Sequence, residues 1–179
     1  MLTAFTSFGA ALLVDSTAAH ALAACTDSWT GGTGGTGTAW GTASNWSTGV
    51  VPTSSDVVCI GNDTTASAYS VSLTSGTSVA ALELGGTTPS TLTVTNANLT
   101  IGDTAGDTSE VESNGILNIT SSGGTGYEQN ANASTNLTVA SGGQLNLTAG
   151  SAETAYVGYV GSLTIDSGAN LTATGPGTD

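Results

Sequence analysis

Few side chains in this sequence can do chemistry. There is no Lys, no Arg and one His, His20. A Ser-His-Asp or Cys-His catalytic group therefore has no base to work with, apart from a His in the extreme N-terminal segment. A His-based or Cys-based zinc site fails for the same reason. Lyase chemistry that relies on a cation to neutralise or deprotonate its substrate is equally excluded. What remains is carboxylate chemistry. Asp103 with Asp107, and Glu110 with Glu112, are the pairs that could serve as the two acids of a glycosidase. Asp103, Asp107 and the Asn62-Asp63 turn also offer hard oxygens suited to a weak surface calcium site. Their spacing matches neither an EF-hand loop nor the glycine-rich nonapeptide of calcium-binding β-rolls. The favoured reading of these acids is a set of solvated charges that discourage edge-to-edge aggregation of a β-rich surface. No catalytic residue, cofactor or metal ligand is assigned. A third candidate is the hydroxyl row of Thr91, Thr93 and Thr95, which could face ice, but the other strand units mix Asn with Thr and show no regular array.

The remaining reactive groups are Cys25 and Cys59. They follow a segment with the pattern of an export signal. Phe5 to Val14 is apolar, and Asp15 to Ala23 is weakly polar and ends in Ala21-Leu22-Ala23, an A-x-A cleavage pattern. The usual basic n-region is missing, so Met1 reads as an internal start with a basic segment upstream. Two readings of the cysteines stay open. A Cys25–Cys59 disulfide suits an oxidising compartment and would contribute about 3–4 kcal/mol in the chain-entropy model. Alternatively, Leu22-Ala23-Ala24-Cys25 has the form of a lipobox, which would lipidate Cys25. The disulfide is preferred because lipidation would strand Cys59 as a free thiol. Both place the protein outside the cytoplasm.

The formal charge of −13 argues against nucleic acid as a partner and against docking on anionic lipid. No apolar run is long enough to span a bilayer as a helix, which takes about 20 residues, so no membrane insertion is expected. Charged residues make up only 7% of the chain and 38% are hydrophobic, so the acidity does not signal a disordered acidic tail.

Carboxylates so placed need a scaffold, and the sequence past residue 68 supplies one. Leu92-Thr93-Val94, Leu117-Asn118-Ile119, Leu137-Thr138-Val139 and Leu163-Thr164-Ile165 alternate apolar and polar residues, the period of a strand with one buried face. Leu145-Asn146-Leu147 and Leu171-Thr172-Ala173 follow two of these units, their leading Leu residues 8 positions later. Val71-Ser72-Leu73 and Leu82-Glu83-Leu84 extend the series upstream. Leu99 to Leu117 and Leu145 to Leu163 are each 18 residues, and Leu117 to Leu137 is 20. A repeat near 20 predicts a solenoid of two or three short strands per coil, with coils about 4.8 Å apart and Gly or Asn at the corners. The domain reading is an export signal at 1–24, an N-terminal cap with the Trp residues and the Cys pair at 25–68, and solenoid repeats at 69–179. In the cap, Trp29, Trp40 and Trp46 are expected to cover the open end of the stack, the rival use being a sugar platform.

The phrase Trp40, Asn45-Trp46, Gly49, Val51-Pro52, Asp56-Val57-Val58 and Ile60 resembles the N-terminal portion of bacterial autotransporter-type surface-adhesin passengers. Tyr156-Val157-Gly158-Tyr159-Val160-Gly161-Ser162-Leu163-Thr164-Ile165 is similar to their repeats. The resemblance implies an all-β, right-handed parallel β-helix on an exported cell-surface stalk, without catalytic residues at these positions. The Cys pair is not a general feature of such passengers. Ending in mid-repeat at Gly175 to Asp179, the chain reads as an N-terminal fragment. The expected function is structural or adhesive, toward host or environmental surfaces or glycans. The alternative is a carbohydrate-active β-helix enzyme. Any ligand contact is expected on residues 121–134, around Tyr127, the longest break between strand units.

Overall fold

The computed structural model describes residues 24–64, 66–102, 108–122, 128–133, 136–150, 154–156 and 162–175. A short strand β1 (Asp27–Ser28) and a 3-10 turn (Ala43–Asn45) precede a succession of three-strand coils. The first coil is β2 (Val57–Ile60), β3 (Tyr69–Leu73) and β4 (Thr77–Val79). The second is β5 (Ala81–Leu84), β6 (Ser90–Thr95) and β7 (Leu99–Ile101). The third is β8 (Ser109–Val111), β9 (Gly115–Ser121) and β10 (Glu128–Ala133). The fourth is β11 (Asn136–Val139), β12 (Gln144–Ala149) and β13 (Thr154–Tyr156), after which come β14 (Ser162–Ile165) and β15 (Asn170–Thr174).

Every third strand stacks on its predecessor in parallel. The result is three sheets, ordered β1-β2-β5-β8-β11-β14, β3-β6-β9-β12-β15 and β4-β7-β10-β13. This is the parallel β-helix that the alternation predicts. Its core is a set of ladders. Val71, Leu92, Leu117, Leu145 and Leu171 share one column, and Ile60, Leu84, Val111, Val139 and Ile165 another. Through Leu145 and Val139 these side chains are buried in one continuous cluster. Each contributes about 1.5–3 kcal/mol of apolar burial.

The repeat near 20 residues is corrected. In-register neighbours lie 24 residues apart for Cys59 and Glu83, 25 for Thr93 and Asn118, and 28 for Asn118 and Asn146. The shorter spacings join different faces: Leu99 is on β7, Leu117 on β9, and they belong to separate sheets. A coil carries three strands, and its connections vary in length, so no single number describes the repeat.

A second correction concerns residues 121–134. Polar Glu128–Ala133 is not a loop but β10, paired in parallel with β7 and β13. Backbone hydrogen bonds to both neighbours hold it in the sheet without an apolar alternation to announce it. Tyr127 and the proposed contact around it lie outside the described residues.

Corners follow the expected chemistry. Asn114, Gly142 and Gly168 occupy equivalent turns between the first and second sheets with φ of 67°, 86° and 89°. Left-handed backbone favours Gly or Asn there.

Candidate functional site

The N-terminal segment settles what the Trp residues do. β1 adds a strand beside β2, and Ala39 forms a parallel bridge to Ser72 of β3, with Trp40 N–H donating to the Ser72 carbonyl at 3.0 Å. The segment thus lays a partial layer over two sheets. Trp29, Trp40 and Trp46 are all buried beneath it. Trp46 stacks edge-on against both others, with ring centroids 4.8 Å apart in each pair, and its Nε1 donates to the Trp40 carbonyl at 2.7 Å. A sugar platform of exposed indoles is ruled out. The buried Asn45 side chain donates to the Ala39 carbonyl at 3.0 Å, and its own carbonyl receives Thr30 and Gly31 N–H. Asp56 accepts Thr53 N–H and Oγ1 and Thr26 Oγ1, and the Thr53 bonds hold its carboxyl below the usual range. The residues of the Trp-Asn-Trp-Val-Pro-Asp phrase therefore build this layer.

Chemistry is concentrated on the outer face of the first sheet. Val58, Ile60, Leu82 and Leu84 point into the core. The intervening residues face the other way, because successive side chains of a strand alternate. That alternation puts Cys59, Glu83, Glu110 and Thr138 in one outward column. Cys25 and Cys59 are joined in a disulfide, with Cα atoms 5.8 Å apart. Of the two sulfur-bearing residues, Cys59 is fully buried and Cys25 is half-buried. Glu83 Oε2 lies 3.3 Å from Cys59 Sγ and 3.8 Å from Cys25 Sγ. A disulfide sulfur carries no proton, so any hydrogen bond here runs from a protonated Glu83 to sulfur. Asn62 Nδ2 donates to Cys25 Sγ at 3.1 Å.

Glu83 is only 5% exposed, and its Oε1 has no hydrogen-bond partner among the described residues. Burial first, then repulsion from Glu112 and Glu110, pushes its carboxyl up to about 7. Burial also raises the Glu112 carboxyl. No cation opposes these charges, since the chain has no Lys or Arg. Glu83, Glu112, Cys25, Asn62, Thr87 and Ser113 surround an open cavity of about 420 Å³.

Of the carboxylates singled out from sequence, Glu110 and Glu112 thus stand beside this cavity's buried acid. Asp103 and Asp107, with the export-signal residues up to Ala23, lie outside the described residues. Asp63 accepts a hydrogen bond from Tyr69 Oη at 3.0 Å, and Thr88 Oγ1 donates to its carbonyl. Asn62 and Asp63 thus serve the turn and the disulfide. Cys25, Cys59 and Glu83 place three donor atoms within 4.8 Å of one another, but the disulfide withholds both sulfurs as thiolate ligands. The hydroxyl row is more ordered than the sequence indicates. Thr95, Thr120, Thr148 and Thr174 form one outward column on the second sheet, while the adjacent column runs Thr93, Asn118, Asn146, Thr172. Asn118 and Asn146 link through a side-chain hydrogen bond of 2.9 Å.

Glu83 is the residue that sequence reasoning missed. Leu82-Glu83-Leu84 reads as another alternating strand, and a polar residue at its centre is unremarkable. The signal was a carboxylate one coil after Cys59, visible only once the coil is known to be 24 residues there.

Among the described residues, no helix is long and apolar enough to cross a membrane. Comparison with protein-family models, curated proteins and solved structures finds no match.

Proposed function

We propose that this chain is a structural or adhesive segment of an exported bacterial cell-surface protein, with the β-solenoid as its stalk. The observation that carries the reading is the unbroken stacking of three parallel sheets under a tryptophan-packed end layer. Such a stack resists bending because each coil is bonded to the next along every face. The Cys25–Cys59 disulfide suits an oxidising compartment. The Trp-Asn-Trp-Val-Pro phrase, similar to that of autotransporter-type passengers, supports the same placement. Host or environmental surfaces and glycans are the partners in this reading. The test is protease shaving and membrane-impermeant labelling of intact cells expressing the full gene, with alkylation of free thiols before lysis. Surface-accessible protein with both cysteines blocked as the disulfide is expected. A cytoplasmic protein with alkylated Cys25 and Cys59 would overturn the proposal.

The pairing of Glu83 and Glu112 at one cavity favours a second reading, a carbohydrate-active β-helix enzyme. Both carboxyls are shifted upward, which suits the proton donor of a glycosidase better than its ionised partner. Reducing-sugar release from a panel of extracellular polysaccharides, lost in Glu112→Gln, is the result that would establish it.

A further inference from the structure

The geometry points to Cys25–Cys59 as a thiol-exchange site: a small thiol enters the cavity, attacks Cys25 Sγ, and Glu83 protonates the departing Cys59 sulfur. This activity stands apart from the stalk reading and does not depend on it.

Three features carry the inference. The first is asymmetry. Cys25 lines the open cavity, whereas Cys59 is fully buried in the sheet, so only one sulfur can be reached from solvent. The second is the fate of the other sulfur. Breaking the bond sends its electron pair to Cys59, and a thiolate buried in low dielectric is disfavoured. Glu83 Oε2 stands 3.3 Å from that sulfur, within reach of a proton transfer. The third is that stability does not account for Glu83. A carboxyl 5% exposed, with Oε1 unpartnered among the described residues and Glu110 and Glu112 beside it, is costly where it stands. A neutral residue would pack against the disulfide at lower cost.

The step balances. The incoming thiolate forms a new S–S bond with Cys25, the Cys25–Cys59 bond breaks, and the pair on Cys59 takes the Glu83 proton. The products are a mixed disulfide on Cys25, a thiol at Cys59 and a Glu83 carboxylate. The thiol itself is the reductant. Asn62 Nδ2, 3.1 Å from Cys25 Sγ, holds the attacked sulfur toward the cavity.

Substrate class follows from charge. Glu83, Glu110 and Glu112 face the site, and the chain as a whole carries −13 with no Lys or Arg. A cationic aminothiol is favoured over a neutral thiol, and an anionic thiol is disfavoured.

The experiment measures reduction of the full chain by 2-mercaptoethanol between pH 5.5 and 9, with each rate divided by the thiolate concentration. In the wild type the corrected rate should be highest at low pH and fall as Glu83 ionises. Glu83→Gln should give a flat profile, lower by at least ~10-fold at pH 6. Two wild-type measurements keep the proposal testable if that variant does not fold. Trapping with cysteamine and mapping the adduct by mass spectrometry should place it on Cys25. Corrected rates should run cysteamine, then 2-mercaptoethanol, then mercaptoacetate, with the spread closing in high salt. Coincident profiles for wild type and Glu83→Gln, an adduct on Cys59, or equal rates for the three thiols would each overturn the assignment.

Discussion

At the N-terminal end of the stack Trp29, Trp40 and Trp46 are 0, 1 and 3% exposed, whereas at the C-terminal end Leu163, Ile165 and Leu171 are 37, 38 and 49% exposed. Both sets belong to the same construction. Leu163, Ile165 and Leu171 sit in register on Leu137, Val139 and Leu145, all of them buried. Inward position in a strand therefore does not bury a residue in a solenoid; the next layer does. At the N-terminal end that layer is β1 with the Ala39–Trp40 segment. Beyond β14 and β15 no further strand is paired among the described residues. A sandwich buries its core between two sheets at once, but here each coil depends on its neighbours along the axis.

The contrast breaks most sharply at Trp46. It contacts both other indoles and donates to the Trp40 carbonyl, so Trp46→Ala removes the centre of the layer. A loss of about 3–5 kcal/mol is expected, as for large-to-small core changes, measured by chemical denaturation followed by circular dichroism. Trp46→Phe retains most of the volume and should cost clearly less. Equal effects would mean that packing in this layer contributes little.

Next in size is the disulfide, which ties the segment before β1 to β2 across a separation of 34 residues. Replacing Cys25 and Cys59 together by Ala should cost about 3–4 kcal/mol in the chain-entropy model. The same loss should appear when the wild type is reduced before denaturation. The N-terminal layer should then open before the solenoid, giving early Trp fluorescence change ahead of the loss of β signal.

Glu83 adds a pH dependence to that end alone. The folded protein holds the Glu83 proton up to about pH 7, while the unfolded chain releases it near 4.5. Below the lower value both states are protonated and stability is at its full level. Between the two the folded state binds more protons, so stability falls as pH rises. The loss is complete above about pH 7. About 1–3 kcal/mol is expected, the lower figure allowing for solvent screening through the adjoining cavity. Denaturation midpoints of Glu83→Gln should change much less between pH 5 and 8. A wild type that gains stability over that window would contradict the burial of an unpaired acid.

These differences explain what could be read in advance. The alternation of Leu, Val and Ile with Thr and Asn is a local property of each strand, so the β-helix and most of its core were legible. The Trp residues, three large apolar groups in one short segment beside a Cys pair, announced an end layer. The stacking of one coil on the next was not legible, because the 24 to 28 residues separating in-register neighbours include connections of unequal length. Without that alignment Glu83 could not be set beside Cys59, and the cavity they share could not be foreseen. β10 was missed for a different reason. Its Glu-Gln-Asn-Ala-Asn-Ala sequence belongs to a sheet through its backbone, which leaves no hydrophobic period to detect.

The smallest expected effect lies at the other end and tests the comparison most directly. Leu145 and Leu171 are the same residue type, in the same column, on strands β12 and β15 that pair in register. They differ in what lies above them: Leu145 is fully buried and Leu171 is 49% exposed. Leu145→Ala removes a side chain packed on both sides and leaves a cavity between two coils, at a cost of about 2–5 kcal/mol. Leu171→Ala removes a side chain that water already reaches. It forfeits about half of the apolar burial and leaves no enclosed void, so a change below about 1.5 kcal/mol is expected. Denaturation of the two variants under one set of conditions gives the ratio directly. A ratio near one would mean that position 171 is as enclosed as position 145 in solution, by association of this end with a second copy. Dilution should then separate the two variants again, because association weakens with concentration while the internal packing of Leu145 does not.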